Sequence, residues 1–281
     1  MIGGALKLYG EWAPGETALF SQVIHKGDWI ADVGANVGFH TLFFSLQTGD
    51  TGRVFGFEPE ELNHRLLQLN MGVNKIKNAF IYNALVGRES RVLLSWNVRS
   101  DPFNRGDSRF TVQDDLSPGE NSKPLMQIAL DDMRLERCDL LKIDVQGYEQ
   151  EVFRGAERLL ESRRPLVFFE QDGTENFKEI MELLRNKHYR CYWYVCRAFP
   201  RFNIHGARED IYNGEAEKNI FAVPGERTKE YSFLRELTPV EGEKYAPPAL
   251  SELSEKYALK RNMNPDGSRV AGILNEIFAS N

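Results

Sequence analysis

Short apolar segments alternate with helical patterns along most of the chain. Seven of these segments have the length and composition of strands, at residues 29–33, 53–57, 80–85, 140–145, 166–169, 190–195 and 219–223. Between them, apolar residues recur at helical spacing, as in Leu62, Leu66 and Leu69. Nearly continuous apolar strands separated by helices indicate a parallel sheet that is covered on both faces. The predicted fold class is therefore α/β, with a doubly wound, mostly parallel sheet.

Two stretches interrupt this alternation. Residues 95–124 are polar and contain several prolines and glycines, which predicts a long loop. Long loops inside a domain often close over a binding site, so we predict a lid here. Residues 225–281 follow the last predicted strand and contain helical patterns at 250–261 and 268–279. We therefore predict one domain over residues 1–224 and a helical C-terminal extension over 225–281, which could also form an oligomer contact.

The first predicted strand ends in the glycine-containing sequence DVGANVG, at residues 32–38. Gly34 lets the chain turn sharply, Gly38 lets the next helix approach closely, and the free N–H groups of that helix attract an anionic group. Glu58 ends the second strand, where its carboxylate can accept hydrogen bonds from both hydroxyls of a ribose. The predicted cofactor-binding residues are Asp32, Gly34, Ala35, Asn36, Gly38, Glu58 and Asn83.

Two cofactors that contain adenosine, NAD and S-adenosylmethionine, are candidates for binding at this turn. The dinucleotide fingerprint G-x-G-x-x-G requires glycines where this chain has Asn36 and Phe39. Without them the backbone cannot approach a pyrophosphate closely, which disfavours NAD. S-adenosylmethionine has an adenosine end and a charged end but no phosphate, so the turn favours that cofactor.

Five sequence blocks occur in a characteristic order. They are DVGANVG at 32–38, FEPE at 57–60, LDDM at 130–133, LLKIDVQGYEQEVFRGA at 140–156 and RPLVFFE at 164–170. Together they resemble the FkbM-type family of S-adenosylmethionine-dependent methyltransferases, from about residue 10 to about residue 224. The resemblance implies a seven-stranded, Rossmann-like class I methyltransferase sheet with a reversed last strand. It also implies O-methylation of small molecules or sugars, without specifying the acceptor.

The chain departs from the family pattern at one position. The family usually has glutamate where this chain has Gln146, in the sequence I-D-V-Q-G-Y-E. Glutamine keeps its capacity for hydrogen bonds but carries no charge and takes up no proton at neutral pH. Any acid–base role of the family's glutamate is therefore absent here or is taken over by Glu149.

Charged residues mark the predicted carboxyl ends of two strands. Asp144 is in the fourth strand, and Lys142 is two residues earlier and therefore on the same face. Glu170 follows the fifth strand. Methyl transfer requires an oriented acceptor and often a base, and Asp144 is the leading candidate. Lys142 could be the base if burial lowered its pKa, or the two residues could form an ion pair that only stabilises the strand.

His205 completes the predicted catalytic set. It lies between the last two strands, where contacts to an acceptor are expected. The predicted catalytic residues are Asp144, Lys142, Glu149, Glu170 and His205. Asp144 and Glu170 could offer oxygen ligands to a divalent ion, but the sequence shows no clear third ligand, so no metal is predicted.

Net charge and hydropathy limit the classes of partner, and the cellular location, that we expect for this chain. The net charge of -6 provides no basic field for a nucleic acid, so none is expected, and the predicted acceptor is a small molecule or sugar. No apolar stretch reaches the roughly 18 residues of a membrane span, and the first residues do not resemble a signal peptide, which predicts a cytoplasmic protein. Two alternatives stay open: methylation of RNA or protein, and S-adenosylmethionine binding without turnover.

Overall fold

A computed structural model describes residues 2–93, 97–101, 104–111, 124–171, 176–201 and 203–240. The α-helices are α1 (Ile2–Tyr9), α2 (Pro14–Val23), α3 (Phe39–Thr48), α4 (Glu61–Val73), α5 (Glu149–Arg154), α6 (Glu157–Ser162) and α7 (Phe177–Asn186). The strands are β1 (Trp29–Val33), β2 (Arg53–Phe57), β3 (Ala79–Tyr82), β4 (Leu85–Val86), β5 (Arg91–Leu93), β6 (Asn97–Asp101), β7 (Asn104–Thr111), β8 (Leu125–Ile128), β9 (Leu140–Ile143), β10 (Leu166–Glu170), β11 (Tyr189–Arg197), β12 (Ala216–Pro224) and β13 (Thr238–Pro239). Single 3₁₀ helices lie at Leu130–Met133, Gly225–Glu230 and Ser232–Glu236.

Eight strands form the central sheet, in the order β13-β11-β12-β10-β9-β1-β2-β3. Strands β3, β2, β1, β9 and β10 are mutually parallel, and β12 runs antiparallel to both β10 and β11. The doubly wound, mostly parallel sheet and its reversed last strand are therefore confirmed. The short strand β13 is an addition to the seven strands that were predicted, and it forms one edge of the sheet.

Alternate residues of the strands point to opposite faces of the sheet, and their side chains pack into a hydrophobic core on each face. The face covered by α5, α6 and α7 receives side chains that include Val33, Leu141 and Phe169. The face covered by α2 and α3 receives side chains that include Ile30, Leu140 and Phe168. Asp32 and Lys142 follow the second alternation, two residues beyond Ile30 and Leu140. The polar side chains of the site thus lie on the α2–α3 face, towards the carboxyl ends of the strands.

The predicted third strand, residues 80–85, divides between two sheets. It leaves the central sheet after Tyr82, and Leu85–Val86 pairs instead with β8 in a three-stranded sheet. The physical reason lies at Asn83, whose side-chain amide donates to the carbonyl oxygens of Glu58 and Pro59. These bonds fix the chain at the end of the sheet and turn it away.

The predicted loop at 95–124 contains a regular element. Strands β6 and β7 pair as an antiparallel hairpin, in which Val98 is opposite Phe110. The sequence pattern did not reveal these strands because their other residues are mostly polar, so no alternation of apolar and polar residues is visible. Residues 94–96, 102–103 and 112–123 lie outside the described residues, and the lid stays a prediction.

The domain boundary after residue 224 stays a prediction, but the residues directly after it pack against the domain. Residues 225–240 continue the domain, because Tyr231, Phe233, Leu234 and Leu237 are buried in the core and β13 pairs with β11. Short 3₁₀ turns carry no helical periodicity, so no sequence pattern predicted this packing. The helices predicted at 250–261 and 268–279 lie outside the described residues. Among the helices that are described, none is long and apolar enough to cross a membrane.

Candidate active site

The turn between β1 and α3 is held tightly by its two glycines. Gly34 and Gly38 have φ values of 79° and 92°, in the left-handed region that favours glycine. A Cβ on Gly34 would overlap the carbonyl oxygen of Asp144, and one on Gly38 would overlap the side chain of Leu67. The glycines therefore allow the turn to lie directly against the end of β9 and against α4.

The carboxylate of Glu58 supports the same turn from the end of β2. Its Oε2 accepts from the backbone N–H of Asn36 at 2.8 Å, and its Oε1 accepts from that of Glu60 at 2.9 Å. Burial raises the pKa of Glu58 to about 7, although these hydrogen bonds oppose the rise. The side chain of Asn63 also hydrogen-bonds to this carboxylate, and its remaining acceptor capacity fits a hydroxyl of a ribose placed beside the turn.

The other predicted cofactor-binding residues surround Glu58 in different ways. The backbone N–H groups of Gly34 and Ala35 both donate to the carbonyl oxygen of Phe57, at 3.0 and 2.9 Å. The side-chain oxygen of Asn36 accepts a hydrogen bond from the backbone N–H of Val37. Asn83 lies beside Glu58 and bonds to backbone carbonyls. Asp32 is fully buried below the turn, where it accepts from the hydroxyl of Thr41 at 2.6 Å. Cofactor contact by these residues stays a prediction.

Lys142 is the centre of a buried group of charges. Its side chain is 2% exposed, and its Nζ lies 3.4 Å from Asp32 Oδ1 and 3.3 Å from Asp144 Oδ2. Burial lowers the pKa of Lys142, but the carboxylates of Asp144, Asp32 and Glu16 outweigh burial and raise it above its ordinary value. The direction of this shift favours the charged ammonium and gives no support to the alternative in which Lys142 acts as a base.

Gln146 joins two carboxylates at the ends of neighbouring strands. Its Nε2 donates to Glu170 Oε2 at 2.8 Å and to Asp144 Oδ1 at 3.4 Å. The neutral amide therefore separates two groups that would otherwise repel each other across the crevice. Of the charged side chains around Lys142, Asp144 has substantial access to solvent, with 29% of its side chain exposed.

Restoring the family's usual glutamate at this position is expected to destabilise the protein in a pH-dependent way. In Gln146→Glu a third carboxylate would face Asp144 and Glu170, and like charges at such distances raise the pKa of at least one of them. A raised folded-state pKa costs stability as the pH rises above the unfolded value. We expect the variant to lose about 1–2 kcal/mol relative to the natural protein at pH 8 and less at pH 5.

Urea unfolding of both proteins at the two pH values measures this difference. Gln146→Met, which removes the hydrogen bonds without adding a charge, is the matched control and should lose similar stability at both pH values. A Gln146→Glu variant whose loss does not depend on pH would contradict the bridging role of the amide.

The remaining predicted catalytic residues are not brought to Asp144. Glu149 is buried at the start of α5, and its Oε1 accepts from the backbone N–H of Gly147 at 3.1 Å. His205 is exposed, and its backbone N–H donates to the carbonyl oxygen of Tyr9 in α1. The structure therefore brings together Asp144, Lys142 and Glu170, joined by Gln146.

Sequence reasoning missed a second layer of polar residues under this group. Glu16 of α2 is buried, accepts from Asn219 Nδ2 at 3.1 Å, and lies 3.3 Å from His40 Nε2. Burial and the nearby Glu217 raise the pKa of Glu16 well above its usual range, and burial and Lys142 lower that of His40. Burial therefore disfavours the charged form of both groups in this pair.

One of these residues did leave a signal in the sequence. Asn219 is a polar residue at the start of an apolar strand, whereas Glu16 and His40 lie in helices whose buried faces were unknown. Glu217, at the start of β12, belongs to the same region, and burial together with Glu170 raises its pKa to about 8. Within the described part of the chain, no three His, Cys, Asp or Glu side chains form a group that could hold a metal ion.

A family model matches more than half of the chain. Residues 32–191 match the model of the methyltransferase FkbM domain. A curated relative, methyltransferase sdnD of Sordaria araneosa, is 27% identical over 157 residues, which are 46% of this chain and 60% of that protein. The chain therefore spans somewhat less than two thirds of the relative that it matches.

Solved structures give weaker similarities. Methyltransferase FkbM from Methylobacillus flagellatus KT is 14% identical with a TM-score of 0.46, over 73% of this chain and 50% of that one. A SAM-dependent methyltransferase from Aquifex aeolicus is 15% identical with a TM-score of 0.42, over 79% of this chain and 93% of that one. Similarity at this level does not bear on the reaction.

Proposed function

The chain belongs to the FkbM methyltransferase family, and on that premise we propose that it transfers the methyl group of S-adenosylmethionine to a hydroxyl of a small molecule or sugar. The observation that supports this most directly is the contact between the glycine turn and the end of β9. The backbone N–H of Asp144 donates to the carbonyl oxygen of Val33 at 3.0 Å. A carboxylate suited to an acceptor hydroxyl thus lies beside the turn that suits the cofactor.

In the proposed reaction each residue has a physical task. S-adenosylmethionine, when bound, supplies a methyl group on a positively charged sulfur. Glu58 binds the ribose hydroxyls. Asp144 accepts a hydrogen bond from the acceptor hydroxyl and directs an oxygen lone pair along the line of displacement. Asp144 Oδ would take up the proton that the acceptor hydroxyl loses when it is methylated. Lys142 and Gln146 hold that carboxylate in place.

The charges around the crevice support an uncharged hydroxyl acceptor. Asp144 and Glu170 both lie at this end of the sheet, and the described cation at their centre, Lys142, is buried and already paired. Phosphate groups would be repelled by the carboxylates, which disfavours an RNA acceptor. This supports the small-molecule proposal over the macromolecular one.

A turnover assay tests the proposal. The full chain is incubated with S-adenosylmethionine and pooled hydroxylated metabolites and sugars, and the formation of S-adenosylhomocysteine is followed. We expect product that depends on the added pool. Cofactor binding without product from any pool would indicate a binding protein, and product with RNA or protein alone would contradict the proposed acceptor class.

Cofactor affinity is expected to increase with pH. With a pKa of about 7, Glu58 is mostly protonated at pH 6 and mostly ionised at pH 8. Ribose hydroxyls donate more strongly to the ionised form, so the Kd for S-adenosylmethionine should be about tenfold lower at pH 8 than at pH 6. Titration calorimetry at the two pH values measures this change.

The variant Glu58→Gln is the matched control for this titration. It keeps the shape of the side chain but has no charge, so its Kd should not follow the same pH dependence. At pH 8 it should bind about 10 to 150 times more weakly than the natural protein, which is the loss of one charge-assisted hydrogen bond. Unchanged affinity would refute the role of Glu58, and tight NADH binding would refute the choice of cofactor.

A further inference from the structure

Helix α1 packs against two parts of the chain that are far apart in sequence. Leu6 is buried in one hydrophobic cluster with Ala35, which belongs to the glycine turn between β1 and α3. Tyr9, the last residue of α1, is fully buried in another cluster with Tyr212, which lies between β11 and β12. We call residues 2–12 the α1 strap, because they connect these two regions.

Three hydrogen bonds hold the end of α1 to the chain before β12. The hydroxyl of Tyr9 donates to the carbonyl oxygen of Glu209 at 2.8 Å and accepts from the backbone N–H of Ile211 at 3.0 Å. The carbonyl oxygen of Tyr9 accepts from the backbone N–H of His205 at 3.2 Å. One buried hydroxyl thus satisfies a main-chain acceptor and a main-chain donor, and its removal would break both bonds. Tyr9 therefore fastens the strap on this side.

Trp12 extends the strap to the start of α3. Its ring contacts the rings of Phe39 and His40, with centroids 6.1 and 5.5 Å apart. Its side chain also hydrogen-bonds to that of Tyr212. The free N–H groups at the start of α3 are those that would attract a charged end of the cofactor. The strap therefore contacts both the turn and the helix start at which the cofactor is expected.

The strap joins the two sides of the candidate active site. The glycine turn follows β1, whereas Glu209 and Ile211 precede β12. In the sheet, β9 and β10 lie between these two strands, and their carboxyl ends lead to Asp144 and Glu170. A cofactor bound at the turn beside Asp144 would therefore lie next to the strap.

Two residues between α1 and α2 have backbone conformations suited to a hinge. Gly10 and Ala13 have φ values of 74° and 44°, both in the left-handed region. Glycine adopts this conformation freely, but an alanine is strained in it. Movement of α1 about these residues would relieve the strain at Ala13 and offset part of the cost of breaking the bonds of Tyr9.

We propose that the α1 strap controls the entry and release of S-adenosylmethionine, with the hydroxyl of Tyr9 as its latch. This role rests on the proposed cofactor and not on any acceptor. The bonds of Tyr9 to Glu209 and Ile211 join protein groups only. They therefore set how often the strap opens and leave the contacts of the bound cofactor unchanged. The association and dissociation rates should then both follow the open fraction, while the Kd changes little.

The binding kinetics of the full chain test this role. Surface plasmon resonance gives the association and dissociation rates of S-adenosylmethionine for the natural protein and for Tyr9→Phe, which keeps the ring and loses the hydroxyl. We expect both rates to rise about tenfold and the Kd to change by less than about threefold. Tyr189→Phe is the matched control, because Tyr189 is also buried and its hydroxyl donates to the carbonyl oxygen of Leu160 at the opposite end of the sheet. Its rates should stay within about twofold of the natural ones.

Leu6→Ala provides a second test that leaves Tyr9 in place. It loosens the strap where it packs on the turn, so it should also raise both rates. Unchanged rates in either variant, with normal affinity, would refute the strap and leave the proposed function intact. A faster dissociation alone, with a proportionally higher Kd, would make the strap part of the binding surface and would also refute the gate. If the natural protein does not bind S-adenosylmethionine, the choice of cofactor and the gate are both refuted.

Discussion

Replacing Asp144 with asparagine is expected to lower turnover by about 10²–10⁴-fold, the usual contribution of a positioned base. The amide keeps the shape of the side chain but cannot accept the proton of the acceptor hydroxyl. The fold should survive, because Lys142 keeps its ion pair with the buried carboxylate of Asp32. We therefore expect the affinity for S-adenosylmethionine and the melting temperature to stay close to those of the natural protein. Steady-state kinetics, calorimetry and thermal unfolding measure the three quantities.

Asp139→Asn is the matched control for this variant. Asp139 lies at the opposite end of β9, where it also pairs with a cation, Arg137, and accepts from the backbone N–H of Trp29. Its loss should lower stability and leave turnover per folded molecule unchanged. If Asp144→Asn keeps more than about a tenth of the natural turnover, Asp144 is not the base. Glu170, Glu149 and His205 would then be tested in its place.

Replacing Lys142 with methionine is expected to destabilise the fold by about 3–5 kcal/mol, because Asp32 would stay buried without its counter-charge. The Asp32 side chain is 0% exposed and Lys142 lies 3.4 Å from it. The pKa of Lys142 is raised above the ordinary value of 10.5, so its stabilising contribution is fully present below that pH. It is lost only as the pH rises through the folded-state pKa. Urea unfolding at neutral pH measures the loss.

Two further variants show whether the unpaired carboxylate is the cause. The double variant Lys142→Met with Asp32→Asn should recover part of the lost stability, since the buried charge is gone. Lys187→Met removes a lysine whose partner, Glu161, is 78% exposed, and it should cost less than about 1 kcal/mol. If Lys142→Met lowered the free energy of unfolding by less than about 1 kcal/mol, the ion pair between Lys142 and Asp32 would not be important for stability. Failure of the double variant to recover would point to lost packing of the lysine stem instead.

Local patterns sufficed for the glycine turn but not for the polar group below it. The turn joins residues close in sequence, and glycines at a strand–helix junction have few alternative explanations. The pairing of Gln146 with Glu170 crosses from one strand end to the next, and that of Glu16 with Asn219 joins residues 203 positions apart. No periodicity carries such information, because it depends on which helix covers which face. For the same reason the sequence left open whether the pKa of Lys142 is lowered by burial or raised by nearby carboxylates.

The sequence by itself determined the alternation of strands and helices, the parallel sheet and the family, because each follows from residues within one strand–turn–helix unit or from their order. Tertiary structure alone decided that residues 225–240 pack on the domain, that 97–111 contain a hairpin, and that carboxylates surround Lys142 and raise its pKa. Each of these depends on contacts between distant segments. Burial by itself lowers the pKa of Lys142, and the carboxylates of Asp144, Asp32 and Glu16, which folding brings around it, reverse the direction of the shift.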